Sequence, residues 1–307
     1  MTPDTPKQTR LIVTALVVIA AFLMITVVPR ITGSIINPIV KAQLVRAEKF
    51  VKMDKTIKAP YGKIPAAPTI KPMAWVVSTT YPFWTVLTFI GGFALLAFAL
   101  PLYRGAPWVR GPALVALAMP AIAGGYMMVP WINFVWKKVG GMPPTLWIMA
   151  IGLIPFFAIL LAEKSDIKQK AVNFGVFLML GVTAAENFPN GQACARMLFF
   201  HPTRPVLAPG DTVLWLFFMT AWISLIFLLI AIWKLGNRQW AGWYFGVIGA
   251  SSVMVAAFSA HYVRHAITTN DYLYNSLMGL TLLILLLIPG IKKRLIKEPE
   301  PQAPAAA

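Results

Sequence analysis

Apolar residues in this chain fall in long unbroken runs rather than in alternation. Eight runs stand out, at 11–28, 83–102, 112–136, 145–162, 171–185, 212–233, 239–260 and 272–291. A hydrocarbon core of roughly 30 Å takes about 20 residues of helix, so runs of this length predict membrane spans. The fold expected is all-α: a polytopic membrane protein of about eight transmembrane helices with a long amphipathic first outer loop. The fifth run is the shortest and ends in Glu186-Asn187-Phe188-Pro189, so it stops below the interface or meets a re-entrant loop. The first run follows Lys7 and Arg10 but no small-x-small cleavage site closes it, which reads as a retained signal anchor.

The domain layout follows. Residues 1–10 form an inner-side tail, 11–291 the transmembrane domain, and 292–307 a proline-rich tail too polar to pack. Within the outer loop 29–82, Ile36, Val40, Leu44, Ala47 and Val51 recur every three to four positions, with Lys41, Arg46, Lys49, Lys52 and Lys55 between them. That period predicts an amphipathic helix over about 38–58, opened by Asn37-Pro38 and closed by Pro60-Tyr61-Gly62. Such a helix either lies on lipid headgroups or its own bundle, or presents a basic docking face to an acidic partner such as an electron carrier or extrinsic subunit.

Orientation rests on Lys and Arg in the short loops. Thirteen of these residues fall on the side of the amino terminus and five on the opposite side; the other nine lie in the first loop, where long segments escape the rule. Both termini are therefore expected on the cytoplasmic side of a bacterial plasma membrane. Tryptophans such as Trp75, Trp108, Trp136 and Trp147 fall near predicted span ends, where indole prefers the wet interface.

Composition narrows the partner. The chain is 58% hydrophobic and 12% charged, with a mean hydropathy of +0.71, which excludes a soluble globular enzyme. Its 27 Lys and Arg against 10 Asp and Glu would suit nucleic acid, but the cations sit between apolar runs, so the partner is the lipid bilayer and not nucleic acid. One cysteine, Cys194, excludes an intrachain disulfide, a CxxC pair and a four-cysteine zinc site.

Candidate chemistry gathers on the expected outer side. His261 and His265 are four residues apart, on one helical face, a spacing that lets both imidazoles reach one copper or zinc ion. They cannot supply both axial ligands of one haem, which needs His201 with one of them. No arrangement of three histidines holds two haems, so a two-haem cytochrome b is excluded. The segment 186–205 reads as a loop rich in special residues, with Asn190-Gly191 as a turn and Cys194 as a weak further metal candidate. Glu186 is the carboxyl expected to sit below the interface. Arg264 joins Glu186, His201, His261 and His265 as a cofactor or quinone contact. Lys and Arg are absent from the span interiors, which argues against an ion-driven carrier. The glycine pairs Gly91-Gly92 and Gly124-Gly125, with Pro120 and Pro130, predict close helix contact or a kink. No Walker A loop, dinucleotide fingerprint, HExxH or nucleophile elbow occurs.

The function expected is a membrane subunit of a respiratory or other redox complex. It would anchor electron-transfer partners and meet quinone, or one haem or metal, near the outer face. The same inventory allows haem, copper or quinone and is equally consistent with no cofactor. The alternatives are a facilitator for a small neutral solute and a non-catalytic membrane scaffold.

Overall fold

The computed structural model describes residues 5–59, 62–65, 67–136, 140–199, 209–264 and 270–296, without side chains at 57–73, 196–211 and 264. It is an all-helical bundle with one small β-hairpin. The helices are α1 (Lys7–Thr26), α2 (Val28–Lys52), α3 (Ala67–Arg104), α4 (Arg110–Trp131), α5 (Pro144–Leu161), α6 (Ile167–Phe199), α7 (Pro209–Gly236), α8 (Trp240–Arg264), α9 (Asp271–Leu287) and α10 (Pro289–Leu295). The hairpin pairs β1 (Thr56–Ala59) with β2 (Gly62–Pro65) in antiparallel register, Ile57 opposite Ile64. Seven helices are long and apolar enough to cross a membrane, and α9 with α10 makes an eighth if counted as one broken span. The chain is an integral membrane protein by this measure.

The segment that follows α1 departs from expectation. The helix begins at Val28 rather than near residue 38, runs through Pro38 and ends at Lys52; residues 56–59 are strand. Helical conformation continues from α1 through Val27 (φ −91°, ψ −49°), so α1 and α2 follow one another almost end to end. Both run antiparallel along α3: Arg10 Nη1 donates to Arg104 O at one end, and Thr32 shares a hydroxyl hydrogen bond of 2.9 Å with Thr85 further along. The 20 and 25 residues of the two helices span roughly 68 Å at 1.5 Å each, against roughly 40–45 Å for a whole bilayer. The 38 residues of α3 span roughly 57 Å. The excess makes a stem in which α2 buries Ile35, Ile36, Ile39, Gln43 and Ala47 and leaves Lys41, Lys49 and Lys52 exposed, with exposed Lys55 just beyond its end. The amphipathic period falls within this helix, but its bounds differ from the expected 38–58 at both ends, and its apolar face packs chiefly on α3.

α4 occupies the centre. Of its most apolar stretch 61% is buried, against 28–44% in the other spans, and it touches α3, α5, α6 and α7. Close approach to α5 needs glycine: a Cβ on Gly124 would lie 2.6 Å from Thr145 O, and one on Gly152 would lie 2.8 Å from Ala121 N. After Pro130 the helix widens into a π turn, Ile132–Trp136, where Phe134 receives the Arg46 guanidinium of α2 at 5.5 Å.

One end of the bundle is basic and tied by ion pairs. Glu163 is 6% exposed and holds two guanidinium groups, Arg110 at 3.0 Å and Arg238 at 2.8 Å, joining the start of α4, the turn after α5 and the turn after α7. Asn237 adds to this by accepting from Gly111 N at 2.7 Å and donating to Trp108 O at 3.1 Å. Beside it Asp166 accepts from Gln169 N at 2.6 Å and from Arg294 Nη1 at 3.0 Å. The last span also differs from expectation: α9 stops at Leu287, and α10 turns away by 80° at Pro289 instead of the helix continuing to residue 291. Proline cannot supply the N–H that would continue the ladder. Residues 292–295, expected in the tail, belong to α10, with Lys292 packed 3.6 Å from the Trp243 ring centre. Residues 297–307 lie outside the described residues.

Two outcomes follow. Glu163→Gln leaves the buried Arg110 beside the partly exposed Arg238 without a counter-charge and should cost up to roughly 3 kcal/mol, read as a lowered unfolding temperature in detergent. Asp166 has its pKa held below the ordinary carboxylate range, first by the Gln169 N–H and then by Arg294. A carboxylate lowered on folding stabilises above its unfolded pKa and loses that contribution as pH falls through the folded value. The unfolding temperatures of wild type and Asp166→Asn should therefore differ slightly at neutral pH and converge in acid. A gap that persists in acid would count against the assignment.

Candidate functional site

The decisive local feature is α6. The sequence predicts a span ending at residue 185 and a loop from 186 to 205, yet α6 runs on through Pro189 and Gly191 to Phe199. In hydrocarbon a broken backbone has no water to satisfy it, so the helix persists past a proline that would end it in solution. Asn190 Nδ2 donates to Glu186 O at 3.1 Å, a side-chain bond within the turn that contains Pro189. The special residues of the supposed loop thereby become core residues. Asn187, Asn190, Gln192 and Cys194 are all 5% exposed or less.

Each finds a partner on a different helix. Tyr126 Oη of α4 donates to Gln192 Oε1 at 2.6 Å, while Gln192 Nε2 donates to Thr80 Oγ1 of α3, and the two hydroxyls lie 3.3 Å apart. That triangle ties α3, α4 and α6. Asn187 Nδ2 donates to Ala221 O of α7, and its Oδ1 accepts from Asn275 Nδ2 of α9 at 3.0 Å. Cys194 Sγ donates to Tyr272 Oη at 3.4 Å, with Phe217 edge-on to the Tyr272 ring. Phe188 fills the middle of this layer: Trp84 and Tyr126 meet it edge-on at 5.3 and 5.0 Å, and Trp222 stacks on it at 5.7 Å.

Next to this layer lies a cavity of about 300 Å³ between α4, α5 and α6, partly open to the outside of the bundle. Its walls are apolar, with Ile122 and Gly125 from α4, Met149, Leu153 and Phe156 from α5, and Gly181 and Ala185 from α6. Glu186 is the one ionisable residue among them. It is half-buried, and its Oε1 accepts from Asn190 Nδ2 at 3.2 Å. The volume is at the lower end of small-molecule sites, and a single carboxyl in an apolar wall can orient a polar headgroup or exchange a proton with it.

The other sequence candidates are placed as follows. Glu186 is inside the bundle on a helix, not at a loop. Cys194 is buried on the same helix, against Tyr272, and not in a connector. His261 is half-buried near the end of α8, next to Ala260, which packs in the cluster around Cys194 and Tyr272. His201 and His265 and the side chain of Arg264 lie outside the described residues, so the His261–His265 metal pair and the His201 haem pair are not placed. Among the described residues no group of three or more His, Cys, Asp or Glu could hold a metal ion. The sequence reading passed over Thr80, Tyr126 and Asn275, and took Asn187 and Gln192 only as members of the 186–205 loop. A signal for the α6 members was present: Thr183, Asn187, Asn190 and Cys194 follow one another at intervals of four, three and four, a helical stripe.

Comparison with protein families, curated proteins and solved structures finds no match to this chain.

The asparagine pair gives a clean test of the layer. Asn187→Leu strands the Asn275 amide in the core and should cost roughly 1–3 kcal/mol, whereas Asn187→Leu with Asn275→Leu together should recover much of it. Thermal unfolding of the four-member cycle in one detergent measures the coupling, and additive losses would show that the pair does not act as a unit.

Proposed function

We propose that this chain is the membrane subunit of a respiratory or other redox complex. It holds a quinone-type headgroup in the α4–α5–α6 cavity and anchors an electron-transfer partner on its basic stem. The observation that carries this reading is the cavity itself: an apolar, partly open pocket within the spans, with one carboxyl, Glu186, positioned by Asn190. Such a site suits a ligand with an apolar body and a polar head that arrives from the lipid phase. The stem supports the second half of the reading, since it carries exposed Lys41, Lys49, Lys52 and Lys55 against exposed Glu48 and Asp54. The 13-to-5 bias of short-loop cations supports a cytoplasmic basic end and an outward stem. Occupation of the bundle centre by α4 favours a lateral binding site over a solute pore.

The test is photolabelling of the purified chain in nanodiscs with an azido-substituted quinone, mapped by mass spectrometry. Label should fall on peptides of α4, α5 and α6. Gly181→Leu should abolish it, because a side chain at Gly181 meets no atom within 4 Å and grows into the cavity without disturbing the helix. Glu186→Gln should weaken labelling by about five- to tenfold, the worth of one hydrogen bond of about 1–1.5 kcal/mol. Label distributed over the whole lipid-facing surface, or indifferent to Gly181→Leu, would end the quinone reading.

A further inference from the structure

Where α9 gives way to α10 the chain turns through 80°, so with α9 across the bilayer α10 lies near its plane. The last carbonyls of α9 have no partners within their own helix, and Trp243 of α8 takes one of them, its Nε1 donating to Leu286 O at 2.7 Å. That bond fixes the indole. Against its face Lys292 of α10 sets its ammonium 3.6 Å from the ring centre. Tyr244 meets Trp243 edge-on at 4.9 Å and Trp240 edge-on at 5.4 Å. α7 ends at the same level: a Cβ on Gly242 would lie 2.8 Å from Lys234 Cβ, and the Lys234 ammonium stands 4.8 Å from the Trp233 ring centre. The corner of α8, α9 and α10 is therefore an aromatic wall with a cation held in it.

Its charge is not balanced within the bundle. Among the described residues the carboxyls at this end are Glu163 and Asp166, and both are taken, the first by Arg110 and Arg238 and the second by Arg294. Lys292 makes no ion pair among the described residues, and neither does the exposed Lys293 next to it. An ammonium over a ring face still has N–H donors to offer an anion on its other side. What surrounds it is apolar and open: Trp240, Tyr244 and Ile248 follow one another at intervals of four on α8, each about half exposed. This strip leads from the cation towards the middle of the span.

We infer that this corner binds an anionic diacyl phospholipid, with the headgroup phosphate on Lys292 and Lys293 and an acyl chain along Trp240, Tyr244 and Ile248. The phosphate supplies the counter-charge that the bundle lacks here, and a lipid brings it to the depth at which Lys292 is fixed. A soluble anion would meet the lysines but leave the strip uncovered. α10 is also the element that Arg294 ties to α6 through Asp166, so a lipid seated on it adds to the hold on the chain's last helix. The site stands apart from the quinone reading, because none of its residues lines the α4–α5–α6 cavity.

The experiment counts lipids on the intact chain. Native mass spectrometry of the detergent-purified protein is titrated with phosphatidylglycerol or with phosphatidylcholine of the same acyl chains. One phosphatidylglycerol should bind about tenfold more tightly than phosphatidylcholine. Lys293→Gln should weaken it about fivefold, and Lys292→Met with Lys293→Gln about twentyfold, with phosphatidylcholine unchanged. Lys292→Arg should keep the tight lipid, since a guanidinium also stacks on indole and pairs with phosphate. Unfolding temperatures without lipid check that the variants fold; Lys293 is exposed, so Lys293→Gln carries the test if the double variant does not. Lys164→Gln with Lys168→Gln removes two exposed cations elsewhere at this end and should leave the tight lipid in place. An equal loss in that variant would mean diffuse surface charge and overturn the site, as would equal affinity for the two lipids. Glycerol 3-phosphate bound as tightly as the lipid would assign the corner to a soluble anion. A severalfold gain in lipid affinity on Glu298→Gln with Glu300→Gln would assign it instead to the chain's own acidic tail.

Discussion

A peptide group in hydrocarbon must find its partner within the protein, because no water is there to replace it. The arrangement of this chain follows from that constraint. It keeps α6 helical through Pro189, and in doing so it turns a stretch of asparagine, glutamine and cysteine inward. Those side chains are then under the same rule as the backbone. Asn187 gives its amide to a carbonyl of α7, Ser276 its hydroxyl to Met254 O of α8, and Trp243 its indole N–H to Leu286 O of α9. Each such bond crosses from one helix to the next, so satisfying the polar atoms also fixes helix order and rotation.

The two ends of the bundle use different chemistry for the same purpose. At the basic end, charge does the tying, through Glu163 with two arginines and Asp166 with Arg294. At the distal level, neutral hydrogen bonds and aromatic edges do it, through the Thr80–Tyr126–Gln192 triangle and the rings around Phe188. Ion pairs suit a region that water and headgroups reach, since a charge fully surrounded by lipid carries a large desolvation cost. Neutral bonds suit the interior. Glu186 departs from this division, being an ionisable group on the interior side of it, and it coincides with the cavity.

Much of the fold was legible because hydrophobic run length is a direct reading of bilayer thickness. The spans of α4, α5, α7 and α8 match the runs within a few residues, and Gly124-Gly125 marked a close helix contact whose partner, α5, only the structure names. What misled was punctuation. Glu186-Asn187-Phe188-Pro189 and Asn190-Gly191 end helices in water, where a freed carbonyl can hydrate, and do not end one here. The same soluble-protein expectation delayed the start of α2 to Pro38, although Val27 and Pro29 pass smoothly into helix. At the candidate site, Glu186 was identified by its position after a short run. Its supporting amides were hidden by their assignment to a loop, since side chains in a loop need no helical stripe and none was sought among them.

The stem and the cavity are joined by covalent and hydrogen-bonded structure rather than by proximity alone. α3 is a single helix from the stem into the bundle, and Thr80, six residues past the buried Ala74, is bonded to Gln192. Gln192 in turn lies less than two turns from Glu186 on α6. On the proposed reading, a protein seated on the stem would press on α3, which is helical from Ala67 to the Thr80 of the triangle and carries Pro72 on the way. The same connection runs the other way: if a headgroup in the cavity shifts α6 by even a fraction of a turn, the Gln192 amide must leave Thr80 or pull α3 with it. Coupling between a docked partner and the cavity therefore depends on whether that triangle holds or breaks, and the bond between Gln192 and Thr80 is the place where the two halves of this protein meet.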